Sequence, residues 1–207
     1  MAHHEHAHDD EHARDHESDE EPRLSRKERE RRERDQILRE LALRQIRQYP
    51  DVVLRTPATP VMEFSDDLRL VVERMIKLMD DAHGVGLAGN QVGLLRRLFV
   101  YRPDGDDGPR AVVNPVIVDR GSETETHSEG CLSLQGVDVM VTRPSRVVVE
   151  GFDPTGAAVR IEAEGFDARV VQHEIDHLDG TLIFDHAAPD QRKEAMRILR
   201  PEAGSPR

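Results

Sequence analysis

Apolar side chains return along this chain with two different periods. Leu68, Val71, Val72, Met75, Ile76 and Met79 fall at i, i+3, i+4, i+7, i+8 and i+11, the stripe of an amphipathic helix packed on a core. Ser65 precedes the stripe as an N-cap, Asp66 and Asp67 match the positive end of the helix, and His83-Gly84 closes it. Ile37, Leu38, Leu41 and Ala42 share this spacing behind a charged run, which predicts one helix over about residues 25–47. Ala195, Met196 and Leu199 predict another within residues 190–200. Between them lie short β-like runs, Leu98-Phe99-Val100-Tyr101, Ala111-Val112-Val113, Val116-Ile117-Val118, Val139-Met140-Val141 and Val147-Val148-Val149, punctuated by glycine, proline and aspartate. Asp153-Pro154-Thr155-Gly156 is a turn into a strand that puts Val159 and Ile161 on one face.

Pro50, Pro57 and Pro60 mark an extended entry into the folded part, because proline biases its predecessor away from helix. Gly84, Gly86, Gly89 and Gly93 follow the amphipathic helix and let backbone approach another strand or a ligand. They do not make a phosphate loop, since no Gly-Lys-Ser/Thr follows. The order of helix, antiparallel strands and a second helix predicts an α+β fold. No apolar run reaches the ~18 residues a membrane span needs.

Charge divides the chain further. The 207 residues carry a formal net charge of −12, and residues 1–21 alone hold nine acidic side chains against one arginine. Six histidines stand in the first 16 positions, with almost no apolar residue larger than alanine. This predicts a disordered His/acid-rich tail over 1–22 that cannot bury a core, although such a tract can bind metal weakly. It lacks the apolar centre of a secretory signal and the acid-poor character of a mitochondrial presequence. The remainder is only mildly acidic, which argues against sequence-specific nucleic-acid binding. The basic run from Arg23 to Arg34 reads as a solvated helix face, or as a contact for an acidic surface such as ribosomal RNA.

The chemistry concentrates in Gln172-His173-Glu174-Ile175-Asp176-His177-Leu178-Asp179-Gly180. H-E-x-x-H on a helix turns His173 and His177 onto one face toward a single metal ion, with Glu174 placed to work on water beside it. Val170, Val171, Ile175 and Leu178 make the surroundings apolar, and histidines in such a setting need a partner. A catalytic site of this kind needs a third protein ligand. The extended motif with a further histidine is absent, because Ile183 stands at that position and His186 lies three residues beyond. Cys131 is the only cysteine, so it forms no internal disulfide and suits a reducing compartment; it is either a buried thiol or the missing ligand.

Three stretches in order, Gly84-Val85-Gly86-Leu87-Ala88-Gly89-Asn90-Gln91, Glu129-Gly130-Cys131-Leu132-Ser133 and the H-E-x-x-H segment, resemble the three signature motifs of peptide deformylases. The resemblance runs from Tyr49-Pro50-Asp51 to near Arg200. It implies antiparallel β-sheets around a central metal-binding helix, with residues 49–200 as the catalytic domain, 23–48 as a charged helical extension and 201–207 as a flexible C-terminus. It also implies a cytoplasmic hydrolase that removes the formyl group from the N-terminal formyl-methionine of new polypeptides. By the same resemblance Cys131, His173 and His177 are the metal ligands, Glu174 is the base and then the acid, and the Gln91 side chain and Leu132 main-chain N–H stabilise the oxyanion. Val85 and Gly86 pair with the extended peptide. Val85, Phe166 and the helix around Val170 are candidate walls for the methionine pocket, and Arg143 matches an arginine near the substrate groove.

One divalent ion is expected. Thiolate with two imidazoles suits Fe2+, Zn2+, Co2+ or Ni2+, and the resemblance implies Fe2+. It also raises ribosome contact through the basic C-terminal helix, for which a plain surface helix is the alternative. Gly89 stands where the first motif usually has alanine and Gln135 where a proline is usual, so extra freedom is expected beside Gln91 and in the turn after Leu132. Other readings of the whole are another H-E-x-x-H metallopeptidase, which would have no use for Cys131, a metal buffer built on the tail, or a decayed deformylase paralogue.

Overall fold

The computed structural model describes residues 25–105 and 108–200; the tail expected over 1–22 and the C-terminus over 201–207 fall outside them. Helix α1 (Arg26–Leu43) starts at a reciprocal cap. Ser25 Oγ accepts from the Glu28 N–H, and the Glu28 carboxylate accepts from the Ser25 N–H at 2.8 Å. The helix stops short of the expected residue 47. Gln45 and Ile46 tighten into i→i−3 bonds, and the Arg47 N–H is taken by the Gln91 carbonyl at 2.7 Å. A tertiary hydrogen bond thus replaces the next turn. Ala42 and Ile46 are buried against helix α2 (Asp66–Asp81), whose stripe of Leu68, Val72, Met75 and Met79 is buried as its spacing predicts. His83 ends that helix in the left-handed region at φ 58°, and the Gly84 N–H bonds back to the Met79 carbonyl at 2.8 Å.

Seven strands follow: β1 (Gly86–Ala88), β2 (Leu98–Tyr101), β3 (Arg110–Arg120), β4 (Thr124–Gly130), β5 (Asp138–Pro144), β6 (Arg146–Phe152) and β7 (Ala158–Glu164). Five of them form an antiparallel sheet in the order β1-β2-β3-β6-β7, while β4 and β5 pair separately. Alternation along β2 divides the core. Leu98 and Val100 face the α2 side, and Phe99 and Tyr101 face the opposite side. The two expected runs around Val112 and Ile117 are one strand, β3, broken in register between Val113 and Val116. Pro115 cannot donate to a ladder, and Asn114 turns at φ 52° while its amide exchanges two 2.8 Å bonds with the main chain of Val61.

Helix α3 (Gly165–Leu178) lies between the five-stranded sheet and the β4–β5 pair. Its Ala168, Val171, Ile175 and Leu178 fill the space against Phe99, Tyr101, Val147 and Val149. Two more helices, α4 (Ile183–His186) and α5 (Pro189–Ile198), close a third cluster on β5 through Leu182, Phe184 and Ala195 with Val139 and Val141. The result is the expected α+β architecture of antiparallel sheets around one central helix. Strand β4 is the element the apolar pattern does not announce. Its sequence is polar throughout and Glu129 is its one buried residue, so pairing with β5 rather than side-chain alternation holds it extended. Among the described residues no helix is long and apolar enough to cross a membrane.

Candidate active site and metal centre

Two segments distant in sequence meet at the inner face of α3. One helical turn stacks His173 and His177 with ring centroids 4.9 Å apart at 70°. Cys131, just past the end of β4, puts its Sγ 3.2 Å from His177 Nε2. The three donor atoms lie within 4.8 Å of one another. An ion with bonds of about 2.0–2.3 Å needs such donors within roughly 4 Å, so the cluster has only to close slightly. The donor set of one thiol and two imidazoles fits a transition-metal ion. His177 meets the cluster through Nε2, and its Nδ1 is buried with no hydrogen-bond partner among the described residues. Burial pushes the Cys131 thiol up, yet the His177 and His173 imidazoles outweigh it and bring it down to about 5, which makes the thiolate the form present at neutral pH. Ile183, at the position of the absent further histidine, is buried in the third core cluster.

Behind the cluster stands a charged lattice. Glu129 is 5 % exposed; its Oε1 accepts from Arg143 Nε and Arg169 Nη1, each at 2.6 Å. Its Oε2 accepts from Arg143 Nη2 at 2.9 Å and meets His173 Nδ1 at 3.1 Å. The bond at Nδ1 leaves Nε2 as the His173 nitrogen free to face the cluster. Asp176, one turn along α3, accepts from Arg143 Nη1 at 2.8 Å and bonds His186 Nε2 at 2.8 Å. Arg143 is therefore not in the groove where the sequence reading puts it. It is buried on the far side of Glu129, its guanidinium spent on two carboxylates, and it touches the site only through Glu129.

In front of the cluster opens a groove of about 490 Å³, lined among others by Val85, Gly86, Gln91, Cys131, Leu132, Phe166, Val170, His173 and Glu174. Burial raises the Glu174 carboxyl to about 7, with the His173 and His177 imidazoles opposing part of that rise. Its Oε2 is buried without a partner among the described residues. The other oxygen lies against Gly86, where an added Cβ would overlap Oε1 and stand 2.7 Å from Glu174 Cδ. A side chain at Gly86 would push this carboxylate aside. Gln91 is oriented by its own main chain: Oε1 accepts from the Ala88 N–H at 2.8 Å, which turns Nε2 toward Ser133 Oγ at 3.2 Å and Cys131 Sγ at 3.6 Å.

Neither departure from the family pattern loosens this region. A Cβ on Gly89 would stand 2.6 Å from the Arg96 carbonyl and 2.9 Å from that of Leu94, so close backbone packing selects glycine in this chain. The turn after Leu132 is pinned despite Gln135. The Leu134 N–H bonds the Cys131 carbonyl at 3.0 Å, the Val137 N–H bonds the Leu134 carbonyl at 3.1 Å, and both side chains are buried.

Sequence reasoning gave no role to Glu129, Arg169, Ser133 or Asp176. A usable signal existed for two of them. Arg169 precedes His173 by one helical turn on the same face of α3, and Glu129 shares its motif with Cys131.

Known proteins resemble the chain over the same region. The family model for polypeptide deformylase matches residues 43–193. A peptide deformylase of Acidothermus cellulolyticus is 47% identical over 160 residues, covering 77% of this chain and 87% of that protein. The crystal structure of a peptide deformylase from Legionella pneumophila superimposes with a TM-score of 0.71 at 39% identity, covering 74% of this chain and 91% of that one. The one from Thermotoga maritima gives 0.67 at 46% identity, covering 70% and 97%.

Proposed function

From the premise that the chain belongs to the polypeptide deformylase family, metal-dependent hydrolases that take the formyl group from the N-terminal methionine of newly made polypeptides, we propose how its own residues divide the work. Cys131, His173 and His177 would hold one divalent ion, which when bound polarises the formyl carbonyl and makes water more acidic. Glu174 takes the proton of the attacking water and returns it to the methionine nitrogen as the C–N bond breaks and formate leaves. A carboxyl raised to about 7 can do both near neutral pH. The Gln91 Nε2 and the Leu132 main-chain N–H donate to the oxygen on which negative charge develops, and removal of one such donor costs about 2.7–4 kcal/mol. Val85 and Gly86 offer main chain to the extended peptide, while Val85, Phe166 and Val170 receive the methionine side chain. Glu129 and Arg143 are positioning residues that hold the His173 ring.

The reading extends to the domain limits, with residues 49–200 as the catalytic domain and 23–48 as a helical extension. The ion is Fe2+, with Zn2+, Ni2+ and Co2+ able to use the same donors. The place of work is the cytoplasm, where an unpaired thiol survives, and α5 with its basic residues is a candidate for ribosome contact. The observation that carries the site assignment is the Cys131–His173–His177 cluster with the Glu174 carboxylate pressed on Gly86 at the floor of one groove.

The test is formate release from a short N-formyl-Met peptide by protein prepared without oxygen. Fe2+- or Ni2+-loaded protein is expected to turn over, chelated protein to stop, and re-addition of the ion to restore it. A loaded protein that releases no formate would point to the decayed paralogue. Gly86→Ala is expected to keep the ion but lose about a hundredfold in kcat/KM, because it displaces the proton-carrying carboxylate by a good part of an ångström. Metal content and formate kinetics on the same preparation check both halves of that expectation.

A further inference from the structure

Helix α1 precedes the region matched by the family model, which begins at residue 43. Yet it reaches the groove. Arg39 and Leu43, four residues apart and so on one face of the helix, line it beside His83, Gly84, Val85 and Gly86. Leu43 is partly buried on the α2 core and anchors the end of the helix there. Arg39, one turn earlier, is exposed, and among the described residues it has no hydrogen-bond or ion-pair partner. Arg169, which also lines the groove, and Arg143 behind it are both bound to Glu129. Arg39 is thus an unengaged cation lining the same groove as Gly84, Val85 and Gly86, and Asp138, paired across the strands with Gly130, lines it too.

We propose that Arg39 is a specificity-determining residue that favours formylated peptides with a carboxylate side chain in the first two residues after methionine. The inference rests on the groove being the peptide site. A peptide extended along Gly84-Val85-Gly86 turns successive side chains to opposite sides, so one of those two positions faces the Arg39 wall and the other faces away. A guanidinium takes a carboxylate on two parallel N–H donors and repels an ammonium. The contact is solvent-exposed, so its effect is modest, about two- to fivefold, and it fades as salt is raised.

The experiment measures kcat/KM for formate release from formyl-Met-Glu-Ala and formyl-Met-Ala-Glu, with their Lys and Gln counterparts, at low and high salt. The metal-loaded parent is compared with Arg39→Lys, Arg39→Ala and Arg39→Glu. The parent is expected to prefer Glu over Lys about two- to fivefold at one of the two positions, expressed mainly in KM. Arg39→Lys should retain the preference, Arg39→Ala should erase it and Arg39→Glu should reverse it. This ratio between peptides is blind to a general loss of fold or metal. The same Glu-to-Lys ratio in all four proteins overturns the inference while turnover of the Gln peptides leaves the groove assignment standing. No formate from any peptide overturns both.

Discussion

Glu174→Gln is expected to bind metal like the parent and to release formate slower by about 10²–10⁴-fold. The amide has nearly the volume of the carboxylate it replaces, so the packing against Gly86 survives. What is lost is the ability to take a proton from water and give it to the methionine nitrogen. Because the proton moves only while bonds are being made and broken, the loss belongs in kcat, with KM little changed. Metal content by elemental analysis, together with the kcat/KM split for a formyl-Met peptide, tests it. A variant that turned over within a few-fold of the parent would remove Glu174 from the proton path and leave the metal alone to carry the reaction. A variant without metal would instead make Glu174 a structural residue.

Glu129→Gln is expected to have the largest effect on stability, about 3–5 kcal/mol, because it leaves the buried Arg143 and Arg169 without the charge that accepts from both. It is also expected to weaken metal binding by about 10–100-fold, through loss of the bond that orients His173. Burial pushes this carboxyl up, but the bonds from His173 and Arg143 overcome it and hold it well below its ordinary 4.5. A group whose value is lowered on folding stabilises in full above the unfolded value and loses that contribution as pH falls toward the folded one. The gap in unfolding free energy between parent and variant should therefore stay constant above about pH 5 and narrow below it. Urea unfolding of metal-loaded proteins at pH 7 and pH 4 measures this. Equal midpoints at pH 7 would mean that the lattice behind the histidines contributes no net stability.

The parts of this molecule that could be read from the chain are those in which one short stretch carries a complete physical pattern. The α2 stripe, the His173–His177 spacing and the alternation that sets Val159 and Ile161 on one face of β7 each fix a face without reference to anything distant. What could not be read depends on partners remote in sequence. The family resemblance sets Arg143 near the substrate groove, and only the fold brings Glu129 and Asp176 to both ends of its guanidinium. Gly89 looks like added freedom until the carbonyls of Leu94 and Arg96 are found where its side chain would be. The single strand β3 appears as two runs, because Asn114 and Pro115 interrupt the apolar pattern while pairing with β6 continues past them.

Strand β4 has β5 on one side and, among the described residues, no strand on the other. An uncovered strand edge is a template onto which a second chain can add, and long apolar edges of this kind seed aggregation. Here the side chains from Thr124 to Ser128 are polar and exposed, with Glu125 and His127 among them. The polarity that conceals this strand from an apolar-pattern reading also makes an edge carrying Glu129 and delivering Cys131 a poor template for a second chain.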